Sequence, residues 1–288
     1  PIRVVVRASL TDGCAQNLIY WECDILGHIS ERFKFADDVC RAAGGLARDY
    51  FSKRDALVVD VKGAQDWVSE ADKAVESFIR ARIAEAWPGD GIFGEEHGDK
   101  VGTSGFDWVI DPIDGTTNFV NGIPLWTIVL AGVADGKTQV GVIYDPNFDE
   151  MFAAQRGHGA TLNGAPMHVA SGVPLDSGTV SVGYSSRVDA VHAVAMIAAL
   201  AEHGALYHRN ASGAISLAYV AAGRMLGYVE EHMNAWDCLA GQLMIEEAGG
   251  RVEDQDAGEM IRNGGRVIAG PDGVFETLVS IADVAWQT

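Results

Sequence analysis

The segment from residue 108 to residue 120, WVIDPIDGTTNFV, decides the fold of its half of the chain and contains the most chemically informative residues. The apolar run 108–110 predicts a short strand that ends at Asp111. Pro112 cannot continue a regular ladder because it has no backbone N–H to donate. Asp114 follows three residues after Asp111. The segment therefore predicts two carboxylates at the end of a strand.

The residues that follow this carboxylate pair predict a binding site for an anion. Gly115 permits a close backbone approach, and the sequence 116–118, Thr-Thr-Asn, favours the start of a short helix. The first amide groups of a helix have no partner inside the helix and attract anions. Metal ligands and phosphate donors would then lie side by side. The alternative is a strand end followed by an Asp-Gly turn in which Asp114 is only solvated.

Two other places add carboxylates to this candidate site. Glu95 and Glu96 lie in the loop 94–98, GEEHG, and Asp237 begins a predicted helix over 236–248. A solvated loop tip would also explain the glutamates, and an interaction with the helix dipole would also explain Asp237. Together the three places offer only oxygen ligands, which favour Mg²⁺ or Mn²⁺ over zinc or copper.

The charge of the chain limits its partners. The 288 residues carry a formal net charge of −19, which argues against nucleic acid and anionic membrane surfaces as general partners. An anionic substrate would need positive charge from bound cations. No apolar run reaches the roughly 20 residues of a membrane helix. The spacing of the four cysteines fits neither a zinc site nor a disulfide framework, so we expect reduced thiols in a cytoplasmic protein.

Periodicity and turn signals predict the order of the elements. We expect an N-terminal extension with little order over 1–29 and a single unit over 30–288, made of an α+β half (30–150) and an α/β half (151–288) that join near 145–180. Asp135-Gly136 and Asn163-Gly164 predict hairpin turns. Helices are expected over 31–53, after Ser69, and over 188–203, 212–223, 236–248 and 274–286; strands are expected over 108–110, 125–133, 138–145, 180–183 and 225–229. This alternation predicts a layered α/β sandwich.

These motifs resemble those of the inositol monophosphatase family, which belongs to the lithium-sensitive, magnesium-dependent phosphatases together with fructose bisphosphatases. The resemblance covers about residues 33–286. It rests on Lys62…Asp66…Ser69…Asp72, GEE at 94–96, DPIDGTTNF at 111–119, WD at 236–237 and EEAGG at 246–250. It implies an α-β-α-β-α sandwich of the inositol monophosphatase and fructose bisphosphatase type, usually assembled as a homodimer.

The resemblance also implies roles for individual residues. Glu95, Asp111 and the Ile113 carbonyl would hold one Mg²⁺, and Asp111, Asp114 and Asp237 would hold a second. Glu95 or Glu96 would contribute to a weaker third ion. Thr116 and Glu95 would orient the attacking water, and Asp72 would accept a hydrogen bond from Thr116.

Substrate contacts are implied in the same way. Backbone amides of Gly115 and Thr116 would hold the phosphate, and Lys62 would lie on a mobile loop that closes over the site. The remaining implied contacts are Asp114, Ser185, Gly213, Glu230 and Asp237. Residues 231–234, EHMN, depart from the Gly-containing form of this loop that is more common in the family, which leaves the substrate open.

The sequence thus predicts magnesium-dependent hydrolysis of a small phosphorylated polyol, most specifically inositol monophosphate. Histidinol phosphate or a sugar bisphosphate is an alternative substrate, although Thr117-Asn118 resembles the inositol branch more than the histidinol branch. An alternative of another class is a regulatory factor that binds transcription machinery, as one bacterial branch of the family does.

Overall fold

The computed structural model describes residues 13–63 and 66–287. Side chains of residues 13–27, 56 and 61–68 fall outside this description. Within the described part, the helices are α1 (Gly13–Phe51), α2 (Glu70–Ala86), α3 (Thr116–Val120), α4 (Ala190–Glu202), α5 (Gly213–Ala221), α6 (Ala235–Glu247), α7 (Ala257–Asn263) and α8 (Asp272–Ala285). None of these helices is long and apolar enough to span a bilayer.

Most strands belong to two large sheets. The strands are β1 (Val59–Gly63), β2 (Asp66–Ser69), β3 (Gly91–Gly94), β4 (Phe106–Asp114), β5 (Thr127–Ala134), β6 (Lys137–Asp145), β7 (Glu150–Gln155), β8 (Ala160–Leu162), β9 (Ala165–Pro166), β10 (Thr179–Val182), β11 (Leu206–His208), β12 (Gly227–Met233), β13 (Arg251–Val252) and β14 (Gly265–Gly270). Strands β3 to β9 form a seven-stranded sheet in chain order. A five-stranded mixed sheet has the order β11-β10-β12-β14-β13, and β1 and β2 form a separate antiparallel pair.

Side-chain alternation along β4 explains how the layers form. Trp108 and Ile110 point into the core shared with α1 and α2, whereas Val109 points into the core shared with α5 and α6. Successive residues of a strand face opposite sides of the sheet, so a strand buried on both faces contributes to two cores. The second core also contains residues of β12 and β14, such as Val267.

The five-stranded sheet is covered in the same way. Its other face packs against α4 and α8 through residues such as Leu200 and Leu278. The order of layers is therefore α1/α2, the seven-stranded sheet, α5/α6, the five-stranded sheet, and α4/α8. This arrangement confirms the predicted α-β-α-β-α sandwich.

Local sequence signals placed several element ends correctly. The Ser69 side chain accepts a hydrogen bond from the Ala71 N–H, and the Asp72 side chain accepts one from the Ser69 N–H, so a capping box begins α2 directly after Ser69, where the helix was predicted to start. Asp135-Gly136 and Asn163-Gly164 have positive φ angles and connect β5 to β6 and β8 to β9, as two-residue hairpin turns require.

Other boundaries differ from the sequence prediction. Helix α1 begins at Gly13, well before the predicted residue 31, and the first 12 residues lie outside the described part. The last strand of the first sheet ends at Pro166, and the first strand of the second begins at Thr179. This interval falls inside the range predicted for the junction, while the division of the chain into two halves stays a prediction.

Candidate metal centre and active site

Three aspartates from distant parts of the chain form a compact group. Carboxylate oxygens of Asp111, Asp114 and Asp237 lie within 4.8 Å of one another. Asp111 and Asp114 are buried, and Asp237 is partly buried. Three like charges at this distance repel one another strongly unless protons or a cation neutralise them.

Strand β4 places the first two carboxylates. Asp111 pairs with Val129 of β5 and Asp114 pairs with Thr127, with an irregularity between them where Pro112 interrupts the ladder. The Asp111 side chain also accepts a hydrogen bond from the Ile113 N–H at 2.9 Å. This bulge turns both carboxylates toward one place, because regular pairing would keep a fixed alternation of faces.

The neighbouring parallel strand brings Glu95 to the same end of the sheet. Gly94 of β3 lies opposite Ile110 of β4, so Glu95 and Asp111 each follow a member of this pair. The charge of Glu95 contributes to raising the pKa of Asp111. Sequence reasoning gave both residues as ligands, but the parallel pairing that brings them together became visible only in the structure.

Helix α5 fixes Asp114 from the opposite side. The carboxylate accepts hydrogen bonds from the Gly213 N–H at 3.3 Å, the Ala214 N–H at 2.9 Å and the hydroxyl of Ser212. The N-terminus of a helix favours an anion, because its free N–H groups carry partial positive charge. Gly213, predicted as a substrate contact, therefore also holds a metal-ligand candidate.

Asp237 is positioned by the start of α6. Its carboxylate accepts a hydrogen bond from the Asn234 N–H at 3.3 Å within a capping box. Asp237 caps α6 and also approaches Asp111 and Asp114. A role at the start of the helix is therefore compatible with a role in metal binding.

The electrostatics of the three aspartates fit a cation. Burial and the charges of Glu95, Asp114 and Asp237 raise the pKa of Asp111 well above its usual range. Burial and the charge of Asp114 raise the pKa of Asp237 to about 7. A divalent cation would remove this repulsion, and the donor set consists of hard oxygen atoms suited to Mg²⁺ or Mn²⁺. The residues present therefore fit a metal site.

A hydroxyl group lies beside this centre. The Thr116 hydroxyl has two acceptors, the Asp72 carboxylate and the Ile113 carbonyl, each at 3.1 Å. Asp72 is completely buried and also accepts hydrogen bonds from the Ser69 hydroxyl at 2.6 Å and N–H at 2.8 Å. The structure thus brings Thr116 and Asp72 together beside a carbonyl that the resemblance implies as a ligand.

A cavity of about 530 Å³ opens next to the aspartates. Asp114 and Asp237 lie in its wall, so the cavity borders the group of three aspartates. The wall also contains hydroxyl, carboxylate and guanidinium groups. These are supplied by Thr117, Tyr184, Ser186, Arg209, Ser212, Ser216, Tyr228 and Glu230.

Glu230 projects into this cavity beside a tyrosine that sequence reasoning missed. The Tyr228 hydroxyl donates a hydrogen bond to the Glu230 carboxylate. Burial raises the pKa of Glu230 to about 7, although the hydrogen bond from Tyr228 lowers it. A Cβ at Gly183 would lie 2.0 Å from Oε2 of Glu230, so glycine leaves room for the carboxylate.

Two further predicted residues, Ser185 and Gly115, are not among the residues that line the cavity. The Ser185 hydroxyl is buried and accepts a hydrogen bond from the Arg187 N–H at 3.3 Å, while its neighbours Tyr184 and Ser186 line the cavity. Gly115 has φ 96°, and a Cβ there would lie 3.0 Å from the Leu125 carbonyl, which explains the glycine.

Glu96 and Lys62 complete the set of predicted residues. The Glu96 N–H donates a hydrogen bond to Glu76, another residue that sequence reasoning did not select. Lys62 lies in β1, and its side chain is outside the described residues. Its role in a closing loop stays a prediction.

Comparison with known proteins identifies the family. A model of the inositol monophosphatase family matches residues 28–286. The chain belongs to the inositol monophosphatase family. Membership supports a metal-dependent phosphatase of the inositol monophosphatase type, in agreement with the acidic cluster.

Relatives of this inositol monophosphatase family member have two kinds of name. An inositol-1-monophosphatase of Mesorhizobium japonicum is 39% identical over 243 residues, covering 83% of this chain and 91% of the relative. The Nus factor SuhB of Haemophilus influenzae is 38% identical over the same length, again with coverage of 83% and 91%.

Solved structures show the same fold. An extragenic suppressor protein suhB from Bartonella henselae superimposes with a TM-score of 0.81 at 31% identity, covering 86% of this chain and 97% of the other. An IMPase from Thermotoga maritima gives a TM-score of 0.80 at 28% identity, with coverage of 89% and 98%. The layered architecture is therefore that of the family.

Proposed function

We propose that the protein is a Mg²⁺-dependent phosphatase that hydrolyses inositol monophosphate or a closely related polyol phosphate. The observation that carries this proposal is the convergence of Asp111, Asp114 and Asp237 within 4.8 Å, with Asp114 and Asp237 in the wall of the cavity. Three carboxylates at this distance suit a divalent cation, and the adjoining space can hold a phosphate ester. Mn²⁺ would substitute for Mg²⁺, since it accepts the same oxygen ligands.

The three aspartates, with Glu95 and the Ile113 carbonyl, would hold two ions, and Glu95 or Glu96 would help with a weaker third. When bound, the ions would act as Lewis acids toward the phosphoryl group and increase the nucleophilicity of water. They would also cancel the repulsion between an anionic ester and a chain of net charge −19.

The chain's own residues orient the reactants. Asp72 accepts a hydrogen bond from the Thr116 hydroxyl, so the lone pairs of the Thr116 oxygen can accept a hydrogen bond from water. Glu95 would act with Thr116 in placing this water on the phosphorus. The N–H groups of Gly115 and Thr116 would donate to phosphate oxygens where negative charge increases in the transition state.

The part of the cavity wall that contains Glu230 and Tyr228 would bind the alcohol part of the ester. Glu230 presents a carboxylate that can accept hydrogen bonds from hydroxyl groups, and Tyr228 fixes its orientation. Serine hydroxyls in the same wall can donate or accept. A neutral polyol with several hydroxyl groups satisfies this lining. We further propose a homodimer as the assembly.

A panel of phosphate esters tests the proposal. Purified protein is assayed for phosphate release from inositol monophosphate, histidinol phosphate, a sugar bisphosphate and p-nitrophenyl phosphate, each with Mg²⁺ and with a chelator. We expect Mg²⁺-dependent release with the highest kcat/KM for inositol monophosphate. Equal activity in the chelator would contradict the metal assignment, and a preference for histidinol phosphate or the bisphosphate would reassign the substrate.

A second candidate function is the regulation of transcription. The resemblance to the Nus factor SuhB of Haemophilus influenzae supports it. The net charge of −19 favours a protein partner over direct contact with nucleic acid. Immobilised protein would retain purified RNA polymerase if this role applies, and the panel above would remain informative in either case.

A further inference from the structure

A buried carboxylate outside the metal ligands lies under the loop that carries Glu95 and Glu96. Glu76 of α2 is completely buried, and its Oε1 accepts a hydrogen bond from Nε of Arg80 at 2.6 Å. Its Oε2 accepts a hydrogen bond from the Glu96 N–H at 2.7 Å. A buried charge of this kind is costly unless it is paired, and both partners here are close.

His97, the residue after Glu96, forms hydrogen bonds with the same helix. Nη2 of Arg80 donates to the His97 carbonyl at 3.1 Å. The His97 ring nitrogen Nε2 lies 2.9 Å from the Ser77 hydroxyl and 3.2 Å from the Lys73 carbonyl. Two consecutive loop residues are therefore fixed on α2, immediately after Glu95.

The residue before Glu95 is constrained by the same carboxylate. A Cβ at Gly94 would lie 2.1 Å from Oε1 and 2.5 Å from Cδ of Glu76. Glu76 thus occupies the space that a side chain at position 94 would need, and it contacts the backbone at position 96. Glu95 lies between these two points.

We infer that Glu76 is a positioning residue that aims the carboxylates of Glu95 and Glu96 at the metal centre. Asp72 lies one helical turn before Glu76 on α2 and accepts a hydrogen bond from the Thr116 hydroxyl. Helix α2 therefore contacts both the Thr116 hydroxyl and the loop that carries Glu95 and Glu96. Glu76 would act through these residues, because its two carboxylate oxygens accept hydrogen bonds from Arg80 and from the Glu96 N–H.

This inference rests on the proposed metal-dependent function. Metal ligands depend on surrounding hydrogen bonds for their orientation, and loss of such a partner typically lowers metal affinity about 10–100-fold. In Glu76→Gln, an amide oxygen could still accept the Glu96 N–H, but the charged pair with Arg80 would be lost. We expect the loop to lose its fixed geometry and the ion to bind more weakly.

The test compares Glu76→Gln with Asp90→Asn in the full chain. Asp90 is also buried and ion-paired, to Arg32 at 2.8 Å, but it precedes β3 at the end remote from Glu95. Mg²⁺ affinity is measured by calorimetry and Mn²⁺ binding by electron paramagnetic resonance, with Tm as the stability readout. Gly94→Ala perturbs the same contact from the loop side and serves as a second variant if Glu76→Gln does not fold.

We expect Glu76→Gln or Gly94→Ala to bind Mg²⁺ at least about tenfold more weakly than wild type. Asp90→Asn should retain wild-type affinity even where its Tm falls equally. If Glu76→Gln and Gly94→Ala both keep wild-type Mg²⁺ affinity, or if Asp90→Asn loses as much affinity as they do, the positioning role is wrong. A wild-type protein that does not bind Mg²⁺ would instead overturn the proposed function, so the two failures are distinguishable.

Discussion

Oδ1 of Asp72 lies 3.1 Å from the Thr116 hydroxyl, although the two residues are 44 positions apart in the chain. The contact joins the first turn of α2 to the helix α3 that follows the two aspartates of β4. Asp72 also caps α2 through Ser69, so one carboxylate serves the helix and the hydroxyl together.

We expect Thr116→Ala to lower kcat by about 10²-fold or more with little change in Mg²⁺ affinity, because the hydroxyl orients water and does not hold the ion. An interaction made chiefly in the transition state lowers kcat and kcat/KM together. Steady-state kinetics and calorimetry check this. A rise in KM alone would reassign Thr116 to substrate binding.

Asp111→Asn and Asp237→Asn should each abolish Mg²⁺-dependent turnover and leave the fold intact. Each change removes a negative ligand at nearly constant volume, and it also relieves repulsion among the three aspartates. Phosphate release and circular dichroism of the purified variants are the measurements. Wild-type-like activity in either variant would contradict the shared metal site.

The stability of the metal-free protein should fall as pH rises. Burial raises the pKa of Asp237 and of Glu230 to about 7, so the folded state holds protons that the unfolded chain releases between about pH 4 and 7. A state that binds more protons loses relative stability as pH rises through that window. The free energy of unfolding should therefore be lower at pH 7.5 than at pH 5.5, by about 2 kcal/mol for each of the two groups.

Thermal unfolding in a chelator at the two pH values measures this dependence. Added Mg²⁺ at pH 7.5 should restore stability, since a ligand that binds only the folded state raises Tm. Asp237→Asn should show a weaker pH dependence than wild type. A metal-free Tm that is constant or rises from pH 5.5 to 7.5 would contradict the electrostatic description of the site.

Tyr228→Phe should raise KM for inositol monophosphate about fivefold or more with kcat nearly unchanged. The substitution removes the donor that fixes the Glu230 carboxylate, and one hydrogen bond to a charged group contributes about 1.5–3 kcal/mol. The KM for p-nitrophenyl phosphate, which lacks polyol hydroxyl groups, is the matched control. Equal effects on both substrates would place the defect at the phosphate end of the cavity.

Lithium should inhibit turnover uncompetitively with respect to substrate. The resemblance implies that Li⁺ enters the site formed by Asp111, Asp114 and Asp237 after hydrolysis and traps phosphate. Initial rates against substrate at several Li⁺ concentrations and fixed Mg²⁺ should give parallel double-reciprocal lines. Insensitivity to Li⁺ together with full activity in a chelator would contradict a catalytic metal site.

Local chemistry determined much of this protein from its sequence. The capping box at Ser69 and the turns at 135–136 and 163–164 depend on neighbouring residues, so their signals are complete within a few positions. The alternation of predicted strands and helices along the chain predicted the layered sandwich, and the segment 108–120 indicated a site with oxygen ligands. The individual roles of the site residues stay predictions.

Tertiary structure decided which distant residues meet. The parallel pairing of Gly94 with Ile110 brings Glu95 beside Asp111, and the packing of α5 places Ser212 on Asp114. Glu76 gave no signal, because a glutamate on a helix is usually solvated and only the position of the loop makes it buried. Local sequence sets turns and caps, whereas the burial and charge of a side chain depend on elements that only the completed fold brings into contact.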